Sequence, residues 1–354
     1  MRKKKVAILK NEDAFDHLGW VAACMLHPDD LEFEIIEITR YDWLDQIKRF
    51  NPDLCLLKPS GRTELYRTLY QERTDILVNE LELMTIPSYQ ELRIYENKKF
   101  FAYWAAVNNL PHPQTWVFYC RHEALRAVKS MGFPIVGKKS IGASGNGVRI
   151  IYDIRGLEKY ISAAFSSGIG SRTGPKFNKG KLFSRFWDKL IHPKQLRNRL
   201  NAYKMIASDK QKGFVILQEY ILHEFEWRAV RIGDSYFAHK KLKTGEKASG
   251  TLLKSYENPP LDLLDYVRQI TERFGFFSVA IDLFETSGSE YLINEIQCIF
   301  GQSDSYQMMV DGIIGRYIWR EGSWVFEAGD FAVNGCYNLR LDWVLSKRDE
   351  PRLP

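Results

Sequence analysis

The sequence predicts a chain of mixed α/β and α+β class, a small parallel-sheet domain at the N-terminus followed by two α+β lobes. Three observations carry that prediction. At 354 residues the chain is too long for one small core. Residues 1–90 alternate strand-like and helix-like patterns, the order that builds a parallel sheet with crossover helices. From residue 115 onward, short strands are joined by helices, a glycine loop and two hairpins, the second at 276–301.

Composition narrows the class. Hydrophobic residues at 45% and charged residues at 27% are an ordinary globular balance. No apolar run is long enough to span a bilayer, and MRKKKVAILK leads into a short strand pattern, unlike a signal h-region. Cysteines 24, 55, 120, 298 and 336 form no CxxC pair, which points to a reducing compartment and away from a zinc cage. A cytoplasmic protein is expected. The net charge of +6 is uneven: residues 160–213 hold twelve Lys/Arg against two Asp, leaving the remainder near −4. So local a surplus implies an acidic partner for that segment, and no nucleic-acid binding is expected.

Element by element, 5–9, 32–39 and 53–58 read as strands, with helices at 19–26 and 41–50. No GxGxxG follows the first strand, so a dinucleotide fingerprint is absent. Lys58-Pro-Ser-Gly-Arg62 follows a strand's carboxyl end, where an anionic group could be held or the chain could simply turn. Residues 94–108 read as one helix, stopped by Pro111 and Pro113. Strands follow at 115–119, 133–137 and 148–152, with a helix at 123–130. Residues 214–221 form an apolar strand, and 227–232 with 235–241 a hairpin. A helix at 261–274 leads into the second hairpin, and the tail from Met308 reads as helical, then irregular. Expected boundaries are 1–90, 91–330 with lobes of about 111–222 and 223–330, and a tail at 331–354.

The stretch 276–301, FFSVAIDLFETSGSEYLINEIQCIFG, carries the chemistry. In the simplest register Glu285 pairs with Glu290, so Asp282 lies opposite Ile293 and Ala280 opposite Glu295. Strand alternation then puts Asp282, Glu295 and Gln297 on one face, with the two carboxylates on a diagonal about 7–8 Å apart. Ile281, Leu283, Leu292 and Ile296 occupy the other, core-facing side. Two carboxylates so placed repel unless a cation sits between them, and a hard ion such as Mg²⁺ fits. The plainer alternative is a solvated hairpin with an acidic wet face.

A second feature is Lys138 leading into 141–147, IGASGNG. Its three glycines let backbone N–H groups approach phosphates closely, which suits a flap over a triphosphate; a flexible hairpin tip is the alternative. The neighbouring 132–139 nearly spells a Walker A loop but fails, because Lys139 stands where Ser or Thr must bind Mg²⁺. Within the basic segment, 182–191 place six apolar side chains at helical spacing, flanked by Lys181, Arg185 and Lys189. Such a helix can close over a neighbouring lobe as a lid or lie at a membrane interface.

Taken in order, these pieces resemble the RimK-like and glutathione-synthetase branch of the ATP-grasp superfamily, over roughly residues 90–305. The matching motifs are Asn97-Lys98, Lys138 with GASGNG, ILQEYI at 216–221, Glu226-Trp227-Arg228, Asp282, and Glu295-Ile296-Gln297. The resemblance implies a pre-ATP-grasp domain followed by an ATP-grasp fold with the nucleotide between two lobes. It implies ATP and Mg²⁺ as cofactors, with Mn²⁺ able to substitute. Lys98 and Lys138 would meet phosphates beneath Gly142, Ser144, Gly145 and Gly147. Gln218, Glu219, Tyr220 and Ile221 would wrap adenine, with Glu226 on the strand that follows. Asp282, Glu295 and Gln297 would hold the metal, while Arg228 and Lys240 or Lys241 offset charge during catalysis.

The implied reaction activates a substrate carboxylate as an acyl phosphate and joins it to an amine. Expected partners are an acidic small molecule or polymer, an amine such as an amino acid, a peripheral membrane contact through 181–191, and a second copy in a homo-oligomer. Three departures qualify the match: Gln297 replaces the usual Asn, the segment 243–250 with Lys247 replaces an Arg, and compact relatives lack the insertion 160–213. Two other readings stay open, a kinase that phosphorylates a hydroxyl and a nucleotide-binding module without chemistry.

Overall fold

The computed structural model describes residues 2–60, 63–142, 147–170, 204–244, 247–248, 253–288, 290–300 and 304–347. Ser144, Gly145 and the apolar helix expected at 182–191 therefore lie outside the described residues, as does the side chain of Lys247. The chain divides into two compact units, one of Met1–Ser60, Leu65–Pro113 and Ile221–Pro354, the other of Gly61–Glu64 and Gln114–Tyr220.

In the larger unit, β1 (Lys4–Lys10), β2 (Leu31–Glu37), β3 (Leu54–Leu57) and β4 (Met84–Ile86) form a parallel sheet in the order β2-β1-β3-β4. The runs Val6–Leu9 and Leu54–Leu57 are buried throughout, as strands covered on both faces must be. Helices α1 (Leu18–Cys24) and α2 (Trp43–Phe50) pack on it, and Trp20 donates its indole N–H to Leu57 O at 3.0 Å. Helix α3 (Glu64–Asp75) escapes the sequence reading because its buried side chains are Arg67, Tyr70 and Thr74, which make no apolar stripe.

The helix expected at 94–108 is two helices, α4 (Tyr89–Ile94) and α5 (Lys98–Val107). Glu96 sits between them at φ 46°, and Asn97 caps α5 by accepting the Phe100 N–H. The break places Lys98 in the first turn of α5 instead of mid-helix.

The smaller unit holds β5 (Thr115–Phe118), β6 (Ile135–Lys138), β7 (Val148–Ile151) and β8 (Val215–Glu219) in an antiparallel sheet ordered β5-β8-β6-β7. Helices α6 (Arg121–Ala127) and α7 (Ile154–Phe165) cover it. Residues 160–165, expected to open the basic insertion, belong to α7, where Tyr160, Ile161 and Ala164 are core.

A second sheet of the larger unit runs β14-β13-β9-β10-β16-β15, from β9 (Phe225–Ile232), β10 (Ser235–Thr244), β13 (Ser278–Glu285), β14 (Tyr291–Gln297), β15 (Met309–Val310) and β16 (Ile313–Arg320). Short β11 (Lys247–Ala248) and β12 (Lys254–Ser255) pair with β10, and β17 (Ser323–Ala328) pairs with β16. Helix α8 (Leu261–Arg273) buries Leu263, Leu264, Val267 and Ile270 in the same core as Val279, Ile281 and Leu283. The tail is thus not helical from Met308: it forms strands, then α9 (Tyr337–Ser346), whose Leu341 and Val344 share a core with Trp20.

One buried carboxylate joins these parts. Glu91 in α4 accepts the N–H groups of Phe277 and Ser278 at the start of β13, at 2.8 and 2.6 Å, and that of Ser88 at 2.7 Å. Glu91→Gln would set an amide NH₂ against backbone donors, and should lower the unfolding free energy by about 3 kcal/mol in urea titrations. An unchanged midpoint would mean that these bonds carry no net stability.

Candidate active site

The hairpin register differs from the expected one. Leu283 pairs with Ile293, but Asp282 pairs with Glu295 and Ala280 with Gln297, because a β-bulge at Asn294 inserts an extra residue in β14. Asp282 and Glu295 are therefore direct cross-strand neighbours, not a diagonal pair. The same bulge makes Ile293 the core residue where Leu292 was expected.

Register continues across the sheet: Asp282 pairs with Arg228 on β9, and Arg228 with His239 on β10. Directly paired residues share a face, so Glu295, Asp282, Arg228 and His239 form one row. Arg228 grips Asp282 with two hydrogen bonds, Nε to Oδ1 at 2.8 Å and Nη2 to Oδ2 at 2.9 Å. Lys241 donates to Asp282 Oδ2 at 2.8 Å and also pairs with Glu226. Asp282 is 2% exposed. Burial alone would raise its pKa, but Arg228 and Lys241 outweigh burial and hold the carboxyl well below the usual range.

Lys98 reaches Glu295 Oε1 at 3.0 Å and Glu96 Oε2 at 3.2 Å. Burial opposes its charge, yet these two carboxylates raise its pKa above the ordinary lysine value. Lys98, Glu226, Arg228, Lys241, Asp282 and Glu295 thus assemble as one charged group, with half-buried Gln297 on the same face. Lys240 does not join it. It points away, pairing with Glu257 at 2.6 Å over the rings of Phe225 and Trp227, because consecutive strand residues face opposite sides.

In the smaller unit, Lys138 is buried at the end of β6, paired in register with Val148 and Ile216. Gly142 has φ 141°, and a Cβ at Gly147 would come within 2.7 Å of the Lys139 Cβ, so both positions require glycine. Gln218 commits its amide to Thr115 Oγ1 at 2.8 Å. Glu219 is exposed at the end of β8, its carboxylate accepting the Gln114 N–H at 3.3 Å, with Tyr220 next in the chain and Ile221 opening the following stretch of the larger unit.

Among the described residues no group of three or more His, Cys, Asp and Glu could hold a metal ion by protein ligands alone. Mg²⁺ characteristically takes one or two carboxylates and completes its shell with water and phosphate oxygens. Asp282 and Glu295, adjacent across the bulge, fit that donor set, and among the described residues Asp282 Oδ1 accepts from Arg228 Nε alone, which leaves it one lone pair.

No protein-family model matches this sequence. It is 28% identical over 138 residues to the C-terminal section of the carbamoyl phosphate synthase large chain of Aquifex aeolicus, a match covering 39% of this chain and 24% of that one. It is 24% identical over 224 residues to alpha-aminoadipate–LysW ligase LysX of Saccharolobus solfataricus, covering 63% of this chain and 68% of the ligase. In three dimensions it matches the RimK domain ATP-grasp protein of Sphaerobacter thermophilus with TM-score 0.50 at 14% identity, over 82% of this chain and 90% of that one. This chain has the ATP-grasp fold. The chain spans only 24% of the carbamoyl phosphate synthase section it matches.

Sequence reasoning missed Glu96, the second partner of Lys98, although Asn97 before an apolar run is a helix-start signal that would have exposed the break. His239 is 1% exposed, with Nδ1 2.9 Å from Gln307 O. Burial first, then the charge of Arg228, lowers its pKa to about 3 from 6.5. Since the folded value lies below the unfolded one, the unfolded chain binds the proton first, and this residue's contribution to stability falls as pH drops from 6.5 toward 3. Urea unfolding at stepped pH should show a shallower decline in His239→Gln than in the parent; parallel curves would contradict the assignment.

Proposed function

We propose that this chain is an ATP- and Mg²⁺-dependent ligase that activates a substrate carboxylate as an acyl phosphate and joins it to an amine. The observation that carries the reading is the pairing of Asp282 with Glu295, backed by Arg228, Lys241 and Lys98. The names of the relatives support it: one is a ligase joining alpha-aminoadipate to LysW.

On the larger unit, Asp282 and Glu295, with Gln297 beside them, would hold the ion, which supplies charge neutralisation at the β- and γ-phosphates when bound. Arg228 and Lys241 keep Asp282 ionised and oriented, and Lys98 offsets phosphate charge. On the smaller unit, Lys138 and the loop of Gly142, Ser144, Gly145 and Gly147 would meet phosphates, and Glu219 would accept from the adenine amino group while the backbone at Tyr220 reads the ring edge. A carboxylate oxygen attacks the γ-phosphorus as the bond to ADP breaks. The amine then attacks the acyl carbon, a C–N bond forms, and phosphate leaves with the bridging oxygen and the proton the amine sheds. Cationic Arg228 and Lys241 would offset charge at that centre.

With ATP, a carboxylate substrate and hydroxylamine in place of the amine, a hydroxamate should accumulate with ADP. A stable phosphate ester, formed without any amine, would transfer the assignment to a kinase. Glu295→Gln should reduce ADP release by about a hundredfold while the circular dichroism stays that of the parent. A near-normal rate at saturating Mg²⁺ would remove Glu295 from the site.

A further inference from the structure

The described residues flanking 171–203 do more than close a loop. Ile169 and Gln211 exchange backbone hydrogen bonds at 2.8 and 3.0 Å, so the two ends of the basic insertion are stapled together. Gly168 (φ 81°) packs there, an added Cβ falling 2.9 Å from the Lys210 Cβ. From this staple two side chains reach the base of the glycine loop. Gln211, 6% exposed, accepts the Ser140 N–H on its Oε1 at 2.7 Å. Asp209 accepts from the Lys139 ammonium on both its carboxylate and its backbone carbonyl, the latter at 2.6 Å, and takes the Glu64 N–H at 3.0 Å. Lys139 in turn donates its own N–H to Gly147 O at 2.8 Å, where the loop returns.

We infer that Gln211 and Asp209 are positioning residues for the glycine loop, setting the affinity with which it holds phosphate. Residues 139 and 140 join the end of β6 to the loop, and Gly147 is the loop's last residue, directly before β7. The two anchors therefore fix where the described ends of the loop stand. The anchors come from the C-terminal side of the basic segment, beyond residue 203. Lys138 and Lys139 face opposite sides by strand alternation, and Lys139 is the one that binds the anchor. The inference rests on the reading that the loop covers a nucleotide.

The test measures the dissociation constant of a fluorescent ATP analogue, and kcat for ADP release, in the full chain and in Gln211→Ala, Gln211→Glu and Asp209→Asn. Gln211→Ala leaves the buried Ser140 N–H without its acceptor, and should weaken analogue binding by about tenfold, equivalent to 1.4 kcal/mol. Its kcat at saturating ATP should stay within about twofold. Gln211→Glu keeps an oxygen at that position and should restore binding; Asp209→Asn should weaken it. Equal binding in Gln211→Ala and the parent would overturn the inference while leaving the ligase reading intact. So would a loss in Gln211→Ala and Gln211→Glu alike that tracks a fall in melting temperature, the mark of a merely structural residue. A parent chain that binds no nucleotide would overturn both readings.

Discussion

The two-pronged contact of Arg228 with Asp282 is the interaction on which the larger unit's chemistry depends. A carboxylate so buried cannot stay ionised alone, and its removal from water is offset only by near-ideal geometry and further partners. Arg228 supplies the fork, and Lys241 takes the lone pair of Oδ2 that Arg228 leaves, handing its own charge on to Glu226. Such a group adds little net stability compared with an apolar core of the same volume. What it secures is a fixed carboxylate of known charge at a fixed place on the sheet.

That place is set by backbone register. A one-residue shift at the turn, where Glu285 pairs with Tyr291, and the bulge at Asn294 together turn a diagonal pair of acids into a direct one, and the break at Glu96 puts Lys98 at the start of a helix, within reach of Glu295. Two local departures from regular structure thus bring one anionic and one cationic side chain to the same few ångströms. Both sit where a neighbouring element is pinned by Glu91, whose carboxylate joins α4 to the first residues of β13.

Much of this was legible in the sequence, for reasons that can be named. The runs at Val6–Leu9 and Leu54–Leu57 could only be covered strands, and period-two alternation with an assumed hairpin register sorted Asp282, Glu295 and Gln297 onto one face. Register itself was not legible, because the bulge residue Asn294 carries no distinguishing side chain. Helix α3 hid because it buries Arg67, Tyr70 and Thr74. The hairpins after Met308 were misread although their turns were written plainly: Asp311-Gly312 and Glu321-Gly322 adopt φ of 50° and 80°, and 50° and 79°, the geometry that two-residue hairpin loops demand. Lys240 and Lys241 could not be told apart as site residues until the pairing of β10 with β9 assigned each a face.

The central claim, that a substrate carboxylate attacks the γ-phosphate and is then captured by an amine, is tested most directly by isotope transfer. When the acid is supplied with ¹⁸O in both carboxylate oxygens, the account predicts that each phosphate released carries one ¹⁸O atom and the amide keeps the other. Phosphate free of the label would contradict it.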